Sequence, residues 1–144
     1  MFLSVNMRSA NTYRQVGAEA NVLGADSHQL IGLVYDSVLK SLNEASVAFA
    51  RGDVAARAQA ISRAMRLIDE GLIGSLDMAR GGQVASSLRS VYDYALNKLV
   101  EANIQSNPDL VEEVIAVLKP VIDAWSEIRP QVIQGGLTTQ RPRN

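Results

Sequence analysis

The sequence predicts an all-α fold: an antiparallel up-down-up-down four-helix bundle with a short N-terminal helix or cap. Three observations predict it. Four segments of similar length each carry apolar residues at alternating steps of three and four, the spacing of one helix face. Loops of only a few residues join them, so each helix must run antiparallel to the one before. The composition is 47% apolar but only 5% aromatic, the aliphatic mix of packed helices.

The first helix is expected over about residues 27–50, with Leu30, Val34, Val38, Leu42, Ala45 and Phe49 on its stripe. Asp26 stands at its N-cap, and Gln29 three residues on completes a capping box. Gly52 ends this helix, and Asp53 caps the next. That second helix runs over about 54–79 on Val54, Ala58, Ile61, Met65, Ile68, Leu72 and Leu76. Gly81 and Gly82 form the turn into the third, about 84–105, whose stripe is Ala85, Leu88, Tyr92, Ala95, Leu99 and Ala102. Asn107 caps the fourth, with Pro108 at its first position, a site where the missing amide costs nothing. The fourth covers about 108–129 through Val111, Val114, Leu118, Val121, Trp125 and Ile128. Pro120 lies inside it and clashes with the carbonyl of Ala116, so a bend is expected there.

The domain organisation follows. Residues 1–24 form a flexible N-terminal segment with a short cap helix, 25–130 the bundle, and 131–144 a flexible tail marked by Gly135, Gly136 and Pro142.

Several function classes are excluded. The net charge is −1 with both signs interspersed, so no basic face awaits nucleic acid. There is no cysteine and a single histidine, which removes thiolate and multi-histidine metal sites. No apolar run reaches the roughly 20 residues of a membrane span, and no stretch has signal-peptide character. The expectation is a cytoplasmic protein, not an enzyme, with no cofactor. "SHQLIG" (27–32) resembles the His-x-Leu-Lys-Gly stretch of histidine phosphotransfer bundles, but Ile31 stands where that family has lysine and His28 sits beside the helix cap. A phosphorelay bundle using His28 is therefore the alternative reading, and a self-associating structural bundle a further one.

A second resemblance covers about residues 13–128. Ala25 to Leu30, Val34-Tyr35-Asp36, Leu76-Asp77…Gly81-Gly82, Val91-Tyr92-Asp93-Tyr94, Glu101-Ala102-Asn103 and Ala124-Trp125 follow one another in the order and spacing of the FliS family of flagellar secretion chaperones. Ser27 replaces that family's opening proline, and Val34 and Val91 replace leucines. The resemblance implies an export chaperone that binds the disordered C-terminal segment of flagellin. It also implies prevention of premature polymerisation and presentation of the subunit to the export gate of the secretion apparatus.

The helical faces agree with such a role. On the third helix Tyr92 and Tyr94 point about 200° apart. Tyr92 then belongs to the core, with its hydroxyl reaching a polar partner. Apolar residues spread from Val91 near −100° through Leu96 and Leu99 to Val100 near +80° and Ile104 near +120°, angles from Tyr92 at about 100° per residue. That arc is wider than one bundle interface needs. Ile31, Val34 and Tyr35 on the first helix join Val91, Tyr94, Val100, Asn103 and Ile104 as expected flagellin contacts. Tyr13 and Val16 are expected to plug the same surface when it is empty, because a bare apolar groove promotes aggregation.

Overall fold

The computed structural model describes residues 27–140, with side chains as far as Glu127. Tyr13, Val16, the Asp26 cap and the whole N-terminal segment lie outside the described residues. Helix α1 spans Ser27–Arg51, α2 Val54–Arg66, α3 Met78–Gln105 and α4 Pro108–Gln140. Together they make the antiparallel four-helix bundle. Helix α1 packs most extensively on α2 and also along α4, α3 packs along α4, and α2 meets α3 only sparingly.

The helix ends obey local chemistry. Gly52, at φ 69°, ends α1 in a conformation that side chains disfavour. The Asp53 carboxylate then accepts from the Ala56 amide at 3.0 Å, which satisfies one of the free amides at the start of α2. Asn107 Oδ1 accepts from the Asp109 amide at 3.0 Å, and Ser106 closes α3 in the left-handed region.

The second connection differs from the expected one. Helix α2 widens into a π-turn over Leu67–Leu72, where the Ile73 amide donates to Ile68 five residues back and to Asp69. A 3-10 turn, Ile73–Ser75, follows, with Ser75 Oγ donating to the Gly71 carbonyl at 2.5 Å. Leu76 is extended, so the helix ends four residues before the expected 79. Asp77 is a new N-cap, accepting from the Arg80 amide at 3.0 Å. One helical turn forms before Gly82 breaks the helix at φ 53°, ψ −128°. The Gly81–Gly82 pair thus does make a turn, but a helical turn precedes it. Helix α4 continues through Pro120, and its backbone stays helical to Gln140, across residues that the sequence reading gives to the tail.

The core holds most residues of the four stripes, although Val54, expected on the second, is exposed in the first turn of α2. Val34, Val38 and Leu42 meet Ile61, Ile68 and Leu72, then Tyr92, Ala95 and Leu99, then Val111, Val114 and Leu118, all at 2% exposure or less. Small buried residues, Ser41, Ala45 and Ala48 on α1 and Ala60 and Ala64 on α2, let these two helices approach closely.

Candidate functional site

Two aromatic contacts fix the inner faces. Tyr35 and Tyr92 bring their hydroxyls to 2.6 Å across the buried centre, one donating and the other accepting. Burial pushes the Tyr35 phenol above its ordinary value, with the bond from Tyr92 pulling the other way. At the start of α1, His28 stacks flat on Trp125, ring centroids 4.3 Å apart and planes 6° apart. Trp125 Nε1 donates to the His28 carbonyl at 3.1 Å, and Tyr35 meets the indole edge-on. Both ring nitrogens of His28 are buried and have no hydrogen-bond partner. This corrects the phosphorelay reading, since a phosphoryl-accepting imidazole must present a nitrogen to the donor and this one is walled in by an indole face.

The sequence-predicted contacts divide into three groups. Val34 and Tyr35 are 0% and 1% exposed, so they are core residues and a client meets neither on the bundle surface. The reason is visible in the wheel: both lie on the inward side of α1 with Val38, and the long Tyr35 side chain is needed to reach Tyr92. Ile31 and Val91 are partly buried and pack on the core rim. Tyr94, Val100 and Ile104 are exposed, at 40%, 42% and 77%.

These exposed residues fall on two different sides of α3. The Tyr94 hydroxyl donates to the Glu113 carboxylate of α4, and Lys98 Nζ lies 5.4 Å from its ring centroid. The bond to Glu113 is the largest cause holding the Tyr94 phenol above the ordinary 10.0, followed by desolvation and by the charges of Glu113 and Glu101. Tyr94 is therefore tied to α4. Val100 and Ile104 point about 120° and 80° away from Tyr94, toward the side where α3 meets α2.

An apolar strip lies on that side. Leu96 of α3 and Met65 of α2 are partly buried hydrophobics packed on the core, and Val100 and Ile104 rise beside them. Among the described residues α2 packs on α3 only sparingly along this seam. Its lower end is closed by Arg57. That guanidinium sits 4.9 Å from the Phe49 ring centroid and donates to Ser106 Oγ at 3.3 Å and to the Asn103 carbonyl at 3.5 Å. Positive charge suits the carbonyl end of α3. Asn103 thus joins the site through its main chain, while its buried Oδ1 has no partner. Sequence reasoning missed Arg57, Met65 and Glu113. The first and last act across helices, where periodicity carries no signal, and Met65 reads as ordinary core.

The sequence profile of the family described as "Flagellar protein FliS" matches residues 9–132. The chain belongs to the FliS family. It is 37% identical to the flagellar secretion chaperone FliS of Salmonella typhimurium over 119 residues, covering 83% of this chain and 88% of that protein. With FliSB of Pseudomonas aeruginosa the identity is 36% over 122 residues, 85% of this chain and 96% of the relative. With FliS of Campylobacter jejuni it is 34% over 124 residues, 85% and 92%. The family is one of flagellar secretion chaperones with a helical-bundle fold. Among the described residues no helix is long and apolar enough to cross a membrane.

Proposed function

We propose that the chain is a cytoplasmic export chaperone that binds the disordered C-terminal segment of flagellin, prevents its premature polymerisation and delivers it to an export-gate component of the flagellar secretion apparatus. The observation that carries this reading is the apolar α2–α3 seam, where Val100 and Ile104 are exposed and Met65 and Leu96 are only partly buried among the described residues. Membership of a flagellar secretion chaperone family supports a flagellar export client. The chemistry required is modest. A segment that folds on binding loses several kcal/mol to ordering, and roughly 25 cal/mol per Å² of buried apolar surface offsets that once a few hundred Å² are covered. A helical client laying aliphatic residues at three- and four-residue steps into the seam meets this need.

In this reading Ile31, Val91 and Tyr94 extend the contact beyond the seam, and Tyr13 and Val16 cover the site when no client is present. Deleting residues 1–18 then raises flagellin affinity or lowers solubility; a deletion that does neither removes the plug. The central test is titration with a flagellin C-terminal peptide, followed by calorimetry and circular dichroism. One peptide per chain, with a gain of peptide helicity, is the expected result. No binding at tens of micromolar refutes the proposal.

A further inference from the structure

The lower end of the α2–α3 seam carries polar groups left unmet among the described residues. The Arg57 guanidinium lies over the Phe49 ring and holds α3 by two long bonds, 3.3 Å to Ser106 Oγ and 3.5 Å to the Asn103 carbonyl. Both exceed the usual N–H···O length of about 2.9–3.0 Å. Arg57 forms no ion pair among the described residues, and the carbonyl end of α3 sets only a partial charge against its full one. Arg57 Nε is buried with no hydrogen-bond partner, and so is Asn103 Oδ1. A donor and an acceptor thus stand unmet on two residues in contact, which costs free energy. Both residues are partly buried rather than sealed, so a ligand can reach them.

These atoms define the chemistry of what binds. The cation and its Nε–H call for a carboxylate, whereas Asn103 Oδ1 calls for a donor. A helix that begins with Asp or Glu supplies both in one place, because its leading amides have no intrahelical partner. A chain-terminal carboxylate does not: the carbonyls that accompany it at a helix end leave Oδ1 without a donor. We propose that Arg57 is the polar anchor of the client site, binding a side-chain carboxylate in the first turn of the client helix while a free amide of that turn donates to Asn103 Oδ1. The anchor rests on the chaperone reading for its client and adds the direction in which the client lies. Because its bonds to α3 are long, the guanidinium turns readily toward a carboxylate, which it can grip through two N–H groups at once.

Polarity and spacing follow. Arg57 and Met65 are eight residues apart on α2, about 12 Å, and Asn103 and Leu96 are seven apart on α3, about 10 Å. The two helices run antiparallel, so both spans lead from the polar end of the seam to its apolar end. The client helix therefore starts at Arg57 and runs parallel to α2. An aliphatic residue about three or four positions after its acidic one lies level with Val100, and another about seven or eight positions after it lies level with Leu96 and Met65.

Calorimetric titration of the full chain with the flagellin C-terminal peptide tests the anchor, using a peptide series in which each Asp is replaced singly by Asn and each Glu by Gln. One replacement is expected to weaken binding about tenfold, and amidating the peptide's C-terminus is expected to change nothing. Arg57→Gln weakens binding of the unaltered peptide about tenfold as well. The two changes together cost no more than either alone, since each removes the same contact. Circular dichroism shows whether Arg57→Gln keeps the bundle intact, and the peptide series decides the matter without any variant protein. A series in which no acidic replacement weakens binding overturns the anchor, as does an amidated peptide that binds about tenfold more weakly. A merely structural Arg57 overturns it too: Arg57→Gln then weakens every peptide alike, the sensitive one included. Unchanged binding by Arg57→Gln removes the anchor and leaves the chaperone reading standing, whereas a parent protein that binds no peptide overturns both.

Discussion

Tyr35 of α1 and Tyr92 of α3 are joined hydroxyl to hydroxyl at 2.6 Å in the centre of the bundle, linking two helices that lie diagonally across the core. Each ring is at most 2% exposed, so the pair buries two phenols whose polar ends must be satisfied inside. Replacing Tyr35 by phenylalanine keeps the ring and deletes the bond. The expected loss is about 1 kcal/mol of unfolding free energy, read from urea denaturation. An unchanged midpoint contradicts a stabilising role for the contact.

The same pair predicts an alkaline limit. Burial raises the Tyr35 phenol above 10.0 in the folded state. In the unfolded chain it ionises at its ordinary value, so between that value and the higher folded one the folded state holds more protons. Stability is then full below pH 10 and declines as pH rises through this window. Thermal melts from pH 8 to 11 are expected to show the decline, and Tyr35→Phe flattens it. A decline equally steep in that variant assigns the effect to other groups.

Ile104, at 77% exposure, is the most solvent-facing large aliphatic residue among those described, and no core role explains it. Ile104→Asp leaves unfolding free energy within about 0.5 kcal/mol of the parent, as for other exposed sites. If the α2–α3 seam receives the flagellin segment, the same change weakens peptide binding about tenfold, roughly 1.4 kcal/mol. Val100→Asp acts in the same direction. Variants that bind like the parent move the client site elsewhere.

Much of this molecule was readable before any coordinates. The four stripes placed Val38, Leu42, Ile61, Leu99 and Leu118 inside, because a three-four repeat admits few other solutions. The Asp53 and Asn107 caps were equally legible, since each cap acts within three residues of itself. The π-turn over Leu67–Leu72 was not: "LIDEGL" has the same periodicity as the helix it interrupts, and only the widened hydrogen bonding reveals it. The exposed apolar surface was half legible. Val100 and Ile104 stand out as apolar residues beyond the core arc, whereas Val34, already on the core stripe, and Tyr35 are expected as client contacts although tertiary packing claims both. Tyr94 and Glu113 illustrate the general limit, because their bond depends on how α3 and α4 are rotated about their axes.

Gly82 predicts a strong local effect. Its φ of 53° with ψ of −128° is open to glycine and strained for any side chain, although a Cβ there meets no atom within 4 Å. Gly82→Ala is expected to cost on the order of 1–3 kcal/mol through backbone strain alone, visible as a lowered melting temperature. Gly81→Ala fails differently, since its Cβ would sit 2.6 Å from Ala85 Cβ. Restoring space with Ala85→Gly recovers part of the loss at position 81 and none at position 82.

His28 offers a final check on the chemistry. Its imidazole is 9% exposed, stacked on Trp125, with both nitrogens shut away from solvent. Attack on an imidazole-specific acylating reagent, or on a small phosphoryl donor, requires one nitrogen lone pair to reach the reagent. In the folded protein that access comes only through local opening of the α1 start. Modification is therefore expected to run at least about tenfold slower than in urea-unfolded chain, where nothing covers the ring. Trp125→Ala removes the covering face and is expected to raise the native rate toward the unfolded one. Rapid labelling of the intact parent protein reopens the phosphorelay reading; slow labelling released by Trp125→Ala leaves His28 as a packing residue that seats α1 on α4.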